Sequence, residues 1–247
     1  MNPKAIVLFS GGLDSTTCLY KAMELGFEPL VLSFDYRQRH KVELIAGREI
    51  TQSLKVEHIT ISVDLRKIGG SALTDDIQVP HTHLNPEKLQ AIPVTYVPVR
   101  NMIFLSLAYA LAESKNADAV FIGANAIDYS GYPDCRPDFF DTFKKAVALG
   151  SKAGREGRSA ELMTPLLSMS KADILQEAMR LNVPIHKTWS CYDPQVREKH
   201  YFPCRNCDAC LLREKGFSES GHHFNDEVFF GSPVKIPLDF VSEAPTH

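Results

Sequence analysis

The sequence predicts an α/β fold, in which a Rossmann-like, doubly wound parallel sheet carries a C-terminal metal-binding segment. The first observation is that short apolar runs alternate with amphipathic stretches of helical spacing, a pattern typical of βαβ units around a buried parallel sheet. The second is that four of the six cysteines lie between positions 191 and 210. With 247 residues and 44% hydrophobic content, the chain is long enough to bury one large core.

The predicted elements begin with residues 5–9, a continuous apolar run expected of a strand buried on both faces. A helix follows, because apolar residues recur at helical spacing from Cys18 until Gly26 ends the run. Ser170 and Asp173 form a capping-box-like start to a later helix. Further strands are predicted at 29–34, 56–61 and 119–123, and further helices at 42–54, at 102–114 and from Pro137 onward.

Two parts of the chain lack this alternation. Residues 63–99 contain several prolines and no periodic pattern, and such length inside a compact domain is typical of a functional segment, so they are a candidate lid. Beyond residue 185, the chain contains four of its six cysteines. We therefore expect an α/β domain at 1–185, a metal-binding segment packed on it at 186–217, and a tail of unassigned role at 218–247.

Composition argues against several classes of function. The net charge of −3 provides no global field for nucleic acid. No apolar stretch reaches the length of a membrane span, and the N-terminal apolar run is too short for a signal peptide. We expect a cytoplasmic protein with no membrane and no stable nucleic-acid partner, and with reduced cysteines.

The first predicted strand and helix are joined by Ser10-Gly11-Gly12-Leu13-Asp14-Ser15-Thr16. Two adjacent glycines let the backbone approach a ligand, and backbone amides and the helix dipole then face an anion. The hydroxyls of Ser10, Ser15 and Thr16 add donors, and Asp14 suggests a bridging Mg²⁺. The loop predicts a nucleotide site with magnesium; the alternative is a glycine turn that only joins the two elements.

Three polar segments follow predicted strands or precede a helix, at 34–40, 100–101 and 123–136. Ligands of open α/β sheets bind at the carboxyl ends of the strands, so all three segments are expected to reach one cleft. Cys135, in the third segment, is a candidate nucleophile with no assigned base, whereas Cys18 lies on an apolar helix face and is expected in the core.

Four cysteines have the spacing of metal ligands: Cys191, Cys204, Cys207 and Cys210. Four thiolates suit tetrahedral Zn²⁺, and they also occur around iron–sulfur clusters. Zinc is favoured because no redox motif accompanies the cysteines. With all four positions filled by sulfur, a catalytic water has no place, so we expect a structural zinc-binding segment.

The loop SGGLDST resembles the SGGxDS loop of the ATP pyrophosphatases, which cleave ATP between its α- and β-phosphates. Over a longer span, from Phe9 to Phe217, the chain resembles the 7-cyano-7-deazaguanine synthase family through FSGGLDSTTCL, SFDYRQRH, VPVRNMIF, DYSGYPDCR, TPLLSMSKADI, TWSCY and CRNCDACLLREKGF. The resemblance implies an adenine nucleotide α-hydrolase-like fold at 1–185. It also implies a ligase of queuosine biosynthesis that converts 7-carboxy-7-deazaguanine and ammonia to the nitrile, through an adenylated carboxylate and an amide.

The resemblance also implies roles for individual residues. Asp14 would hold Mg²⁺, and Arg100 or Lys171 would offset charge on the departing pyrophosphate. The deazaguanine would contact Tyr132, Asp134, whose carboxylate accepts from a guanine-like edge, and Arg136, which suits the substrate carboxylate. The ATP site would comprise Phe9, Ser10, Gly11, Gly12, Leu13, Asp14, Ser15, Thr16, Thr17, Cys18 and Leu19.

The sequence leaves alternatives open for two of the charged residues and for the function. Lys171 and Arg136 could equally be surface charges. The chain departs from the family pattern at two positions, with Val99 where the family often has glycine and Val94 where it often has a polar residue. Without the glycine, the backbone beside Arg100 has less conformational freedom. Ammonia is expected from solution, and a homodimer is possible. Alternative functions are an adenylating enzyme that thiolates tRNA or modifies a protein carboxylate, or a zinc-bearing nucleic-acid module on an α/β scaffold.

Overall fold

The computed structural model describes residues 2–81, 92–127, 131–221 and 231–237. Its main sheet has five parallel strands in the order β3-β2-β1-β4-β5, which confirms the predicted parallel α/β sheet. Val7 in the central strand lies level with Val31 on one side and Phe121 on the other. The strands are β1 Lys4–Leu8, β2 Glu28–Asp35, β3 Glu57–Ser62, β4 Ala119–Ile122 and β5 Glu161–Met163.

Helices cover both faces of this sheet, as the doubly wound prediction requires. Alternate residues of β1 point to opposite faces, so Ile6 packs in a core with Leu105 of α3, whereas Val7 packs in a second core with Leu19 of α1. The helices are α1 Leu13–Glu24, α2 Val42–Leu54, α3 Arg100–Lys115, α4 Pro137–Gly150, α5 Lys152–Arg155, α6 Lys171–Arg180 and α7 Asp208–Glu219.

Local sequence signals place several helix starts correctly. Pro137 is the first residue of α4. Ser170 and Asp173 form the predicted capping box of α6, in which each side chain bonds the other residue's backbone N–H at 3.2 and 2.9 Å. No helix in the described residues is long and apolar enough to cross a membrane.

A second, antiparallel sheet was not predicted. It consists of β6 Gln195–Arg197, β7 His200–Phe202 and β8 Val234–Lys235, and these strands are too short to show a period in the sequence. The strand β5 was missed for the same reason. Because β8 pairs with β7, part of the tail packs on residues 186–217, hereafter the cysteine segment.

The candidate lid has little regular structure where it is described. A single 3₁₀ turn covers Leu65–Lys67, and the remainder of 63–81 and 92–99 is irregular. Residues 82–91 of this stretch lie outside the described residues, as do 128–130 of the third polar segment and 222–230 and 238–247 of the tail.

Candidate active site

A cavity of about 230 Å³, hereafter the cleft, opens at the carboxyl ends of β1, β2 and β4. Side chains from all three predicted polar segments line it, which confirms that 34–40, 100–101 and 123–136 reach one site. The cysteine segment supplies a further wall with Trp189, Ser190 and Tyr192. The cleft therefore lies between the α/β sheet and the C-terminal segment.

Glycine at position 11 lets the loop 10–16, named here the phosphate loop after its predicted role, pass against α2. Gly11 has φ of +81°, and a Cβ added there would lie 2.5 Å from the Glu43 carbonyl oxygen and 2.7 Å from the Gly47 nitrogen. No side chain fits in this space, so the loop and the start of α2 are in direct backbone contact. Gly12, the N-cap of α1, lies near the cysteine segment, since a Cβ there would be 3.2 Å from the Trp189 carbonyl oxygen.

The predicted ATP residues divide into two groups. Ser10, Ser15 and Asp14 line the cleft, and the two serine oxygens lie 3.1 Å apart. Phe9, Gly12 and Leu13 line it as well. Five others are not among its lining residues: Gly11, Thr16, Thr17, Cys18 and Leu19.

The Thr16 and Thr17 hydroxyls both have partners within α1. Thr16 Oγ1 donates to the Gly12 carbonyl at 2.7 Å, and Thr17 Oγ1 donates to the Leu13 carbonyl at 2.8 Å, so both hydroxyls bond within their own helix. Cys18 and Leu19 are fully buried in the core against the sheet, as expected for Cys18. Thr16, Thr17, Cys18 and Leu19 therefore belong to the packed part of α1 next to the loop, and their side chains have partners within the helix or the core.

Lys171 and Asp14 form a close ion pair inside the cleft. Lys171 Nζ donates to both oxygens of Asp14, at 2.8 and 2.7 Å. Lys171 is 7% exposed, so it is not a surface charge. Its stem runs against α7, where a Cβ added to Gly216 would lie 2.7 Å from the Lys171 Cβ. The ammonium reaches Asp14 because α7 has glycine at this point.

Arg100 lines the cleft from the first turn of α3. Its Nη1 donates to Tyr36 Oη at 3.3 Å, and its guanidinium carbon lies 5.9 Å from the centroid of the Tyr36 ring. The preceding residue, Val99, has φ of 50° and ψ of 25°, in the left-handed region. The glycine that the family often carries here would adopt this conformation without strain, and the valine adopts it nonetheless.

Of the three residues predicted to contact the deazaguanine, only Tyr132 is among the residues that line the cleft. Tyr132 lines the cleft, with its Oη 3.1 Å from Thr95 Oγ1, and burial raises the pKa of its phenol. Asp134 is buried outside the lining, where its Oδ2 accepts the Asn101 N–H at 2.9 Å and thereby binds the N-terminus of α3. Arg136 is exposed and also outside the lining. In the structure, Asp134 therefore contacts α3, and a direct contact with the substrate stays a prediction.

Cys135 lines the cleft as a thiol of low reactivity. Burial raises its pKa to about 12, and Asn101 Nδ2 lies 3.2 Å from its sulfur. A buried thiol of this pKa is not a thiolate at neutral pH, so the geometry does not favour the nucleophile hypothesis.

Sequence reasoning missed several residues of the cleft wall. Tyr36, His40 and Asn101 belong to the predicted polar segments but were not singled out. Arg213 of α7 is 2% exposed and donates to Thr188 Oγ1 at 2.9 Å, and burial lowers its pKa to about 10. An arginine inside a helical pattern looks like a surface charge, so no sequence signal marks it. Other lining residues without a predicted role include Glu43, Phe104, Trp189, Ser190, Tyr192 and Ala209.

The four predicted metal ligands come together. The sulfur atoms of Cys191, Cys204, Cys207 and Cys210 all lie within 4.8 Å of one another. Backbone N–H groups point at them, from Cys204 to the Cys191 sulfur at 3.2 Å and from Cys207 to the Cys204 sulfur at 3.3 Å. Such donors stabilise thiolates, so the cluster fits a metal ion held by four sulfurs.

Trp189 connects this cluster to the phosphate loop. Its backbone N–H donates to the Gly11 carbonyl at 3.0 Å, and its indole N–H donates to the Cys191 carbonyl at 2.9 Å. The side chain is 2% exposed. Trp189 thus joins the cysteine segment to the phosphate loop, with one hydrogen bond to each.

Comparison with known proteins identifies relatives of this chain. The family described as "Queuosine biosynthesis protein QueC" matches residues 4–221. The 7-cyano-7-deazaguanine synthase of Citrifermentans bemidjiense is 50% identical over 222 residues, covering 90% of this chain and 96% of the relative. That of Thermoplasma acidophilum is 51% identical over 220 residues, covering 88% and 89%. Among solved structures, NMN synthetase from Francisella tularensis aligns with a TM-score of 0.47 and 15% identity, covering 92% of this chain and 80% of that one.

Proposed function

The chain belongs to the QueC family of queuosine biosynthesis proteins, and from this membership we propose that it is an ATP-dependent carbon–nitrogen ligase that makes 7-cyano-7-deazaguanine. Its substrates are 7-carboxy-7-deazaguanine, ammonia from solution and ATP. The observation that carries the proposal is that one cleft joins the phosphate loop at Ser10 and Asp14 to Arg100 and Tyr132. A nucleotide and a small carboxylate can therefore meet in a single site.

The chemistry explains why two activations are needed. A carboxylate reacts poorly with amines because its oxygen is a poor leaving group, and transfer of AMP to that oxygen supplies a good one. Ammonia then displaces AMP and gives the amide. A second adenylation, on the amide oxygen, allows that oxygen to leave with AMP and gives the nitrile. Each activation releases pyrophosphate from ATP.

The residues of the phosphate loop would serve the adenylation steps. The Ser10 and Ser15 hydroxyls and the amides at the start of α1 bind the phosphate oxygens. Lys171 and Arg100 neutralise negative charge as pyrophosphate leaves. The Asp14–Lys171 pair places both charges at this site, so that Asp14 would hold the cation while the Lys171 ammonium contacts the phosphates.

Two metals fit the residues present. Mg²⁺ prefers carboxylate and phosphate oxygens, and Asp14 in the cleft offers such a ligand. It would supply charge neutralisation at the phosphates. The four-cysteine cluster fits Zn²⁺ in a structural role, and elemental analysis should find about one zinc per chain. Finding iron in its place would contradict this assignment.

We propose that Tyr132 contacts the deazaguanine. We also propose that Arg136, which is not among the residues lining the cleft, binds the carboxylate of the substrate. Asp134 acts through α3. We also propose that the protein works in the cytoplasm without a stable nucleic-acid partner, as a homodimer. We keep the expected division into 1–185, 186–217 and 218–247 as a proposal, although α7 ends at Glu219 and β8 of the tail pairs with β7.

The direct test is turnover. Purified protein mixed with ATP, Mg²⁺, ammonia and 7-carboxy-7-deazaguanine should form the nitrile and AMP, detected by mass spectrometry. Asp14→Asn should lower this turnover at least about 100-fold, a loss typical of removing an electrostatic catalytic group. Asp141→Asn is the matched control, because Asp141 is exposed on α4. Absence of AMP and nitrile from the unmodified protein would refute the proposal, and tRNA binding without this turnover would favour the tRNA-modifying alternative.

A further inference from the structure

We propose that Arg213 is a positioning residue of the ATP site, and that it aims a backbone N–H of the phosphate loop at the phosphates. This inference rests on the function proposed above. Arg213 lies on α7, three residues after Cys210, and is among the residues that line the cleft. It is 2% exposed, so it is not a surface charge.

The guanidinium of Arg213 binds three residues of the segment 185–190. Its Nη1 donates to Thr188 Oγ1 at 2.9 Å and to Ser190 Oγ at 3.1 Å, and its Nη2 donates to the Ile185 carbonyl at 3.1 Å. Thr188 Oγ1 in turn donates to the same carbonyl at 2.7 Å. Hydrogen bonds from a charged donor are stronger than those between neutral groups. One buried side chain therefore fixes the backbone of this segment.

Arg213 keeps its charge in this position. Burial lowers the pKa of its guanidinium to about 10, which is still well above neutral pH. The guanidinium carbon lies 5.2 Å from the centroid of the Phe217 ring, whose face attracts a cation. In such a buried environment the hydrogen bonds of a charged group are strong. The segment 185–190 is therefore held by a permanent cation.

The segment that Arg213 holds is also the one that contacts the phosphate loop. Trp189 lies between the two hydroxyl-bearing residues that Arg213 binds, and its backbone N–H donates to the Gly11 carbonyl at 3.0 Å. A Cβ on Gly12 would be 3.2 Å from the Trp189 carbonyl oxygen, so the two backbones lie close together. The position of the Trp189 N–H therefore depends on the neighbours that Arg213 fixes.

The hydrogen bond to the Gly11 carbonyl sets the direction of the next N–H in the loop. A trans peptide is planar, so its C=O and N–H point in opposite directions. Because the Gly11 carbonyl faces Trp189, the Gly12 N–H faces away from it and donates to Ser10 Oγ at 3.4 Å. Gly12 and Ser10 both line the cleft. This bond is long, and a charged phosphate oxygen is a stronger acceptor for the N–H than a hydroxyl.

The test compares the binding of the two substrates. Arg213→Lys keeps the charge but replaces the planar fork with a single ammonium, which does not reproduce all three hydrogen bonds. In protein supplied with Zn²⁺, we expect its Kd for MgATP, measured by calorimetry, to rise at least about tenfold, as for a weakened hydrogen bond to a charged group. The Kd for 7-carboxy-7-deazaguanine should stay within about twofold, because the Gly12 N–H serves the phosphates alone.

Thr188→Val is a second variant, since it removes one acceptor of Arg213 in a side chain that does not line the cleft. It should raise the Kd for MgATP by about threefold. Tyr109→Phe is the matched control, because it also removes a hydrogen bond from a buried side chain, that of Tyr109 Oη to the Ala160 carbonyl, and Tyr109 does not line the cleft. It should lower stability and leave both dissociation constants unchanged.

An unchanged Kd for MgATP in Arg213→Lys would overturn the inference. An equal rise of both dissociation constants would overturn it as well, because it would show a general structural role. If Arg213→Lys fails to fold or to keep its metal, Thr188→Val decides by the same comparison. These measurements concern binding, so a lack of nitrile from the unmodified protein is a separate result, which refutes the proposed function itself.

Discussion

Val99 holds a backbone conformation that costs a β-branched residue about 1–2 kcal/mol, because in the left-handed region its Cβ lies too close to the following carbonyl. Val99→Gly should therefore raise the free energy of unfolding by about 1 kcal/mol, measured by urea denaturation. Val99→Ala, which keeps the Cβ, is the control and should gain less. A destabilised glycine variant would show that contacts of the half-exposed valine outweigh the strain.

Asp134 offers a second prediction at the scale of single residues. If it acts by accepting the Asn101 N–H, then Asp134→Asn keeps an acceptor oxygen and should leave the KM for the deazaguanine nearly unchanged. Asp134→Ala removes the acceptor and should cost about 1 kcal/mol of stability, as loss of an N-terminal helix cap does. Steady-state kinetics and thermal denaturation measure the two effects. A large KM increase in Asp134→Asn would instead indicate a charged contact with the substrate.

The contact between α6 and α7 depends on Gly216. An alanine Cβ there would overlap the Lys171 stem, so Gly216→Ala should lower stability by about 1–3 kcal/mol and lower turnover as Lys171 is displaced from Asp14. Gly150→Ala is the matched control, because a Cβ at Gly150 meets nothing within 4 Å. Retention of full turnover in Gly216→Ala would mean that the Lys171–Asp14 pair is dispensable.

A charge network joins α1 to α6 and predicts acid sensitivity. The hydrogen bond from Arg180 holds the pKa of Glu177 at about 2, and Lys21 adds to this effect. The carboxylate's contribution to stability is present above the pKa of an unfolded glutamate, about 4.3, and is lost as pH falls from there toward about 2.

Glu177→Gln should therefore lose less stability than the unmodified protein when the pH is lowered through this window, and high salt should shrink the difference. Thermal denaturation across the window measures it. Glu49→Gln, a change at an exposed glutamate of α2, is the control. An identical acid profile for Glu177→Gln would show that the network contributes nothing measurable.

Across the whole molecule, the metal cluster and the phosphate loop should depend on each other. Removing the metal with a chelator leaves four buried or half-buried sulfurs without their ion, so the cysteine segment should loosen and release the Trp189–Gly11 hydrogen bond. We expect a loss of at least about 3 kcal/mol, which lowers the Tm by roughly 10 °C, together with weaker ATP binding by calorimetry. Unchanged ATP affinity in the metal-free protein would contradict this coupling.

Local patterns in the sequence predict the sheet, its flanking helices and the cysteine ligands, because each depends on residues close together in the chain. Three-residue strands such as β5 carry too little periodicity to be recognised. The site is less predictable. From the sequence alone, Lys171 could be a surface charge or a site residue, and it is buried because Gly216 of α7 lies beside its stem. Asp134 contacts α3 and does not line the cleft. Such outcomes depend on residues distant in the chain, which one sequence does not reveal.

The chain contains a single tryptophan, and it is the residue that bonds both to the phosphate loop and to the cysteine segment. The unmodified protein therefore carries its own optical probe, because light at wavelengths that tyrosine does not absorb excites only this side chain in the wall of the cleft. We expect binding of ATP, departure of pyrophosphate and loss of the metal each to alter the surroundings of that indole, because Trp189 lines the cleft and bonds to Cys191. Rapid-mixing fluorescence can follow the successive steps of a turnover in real time, without a label and without altering the protein.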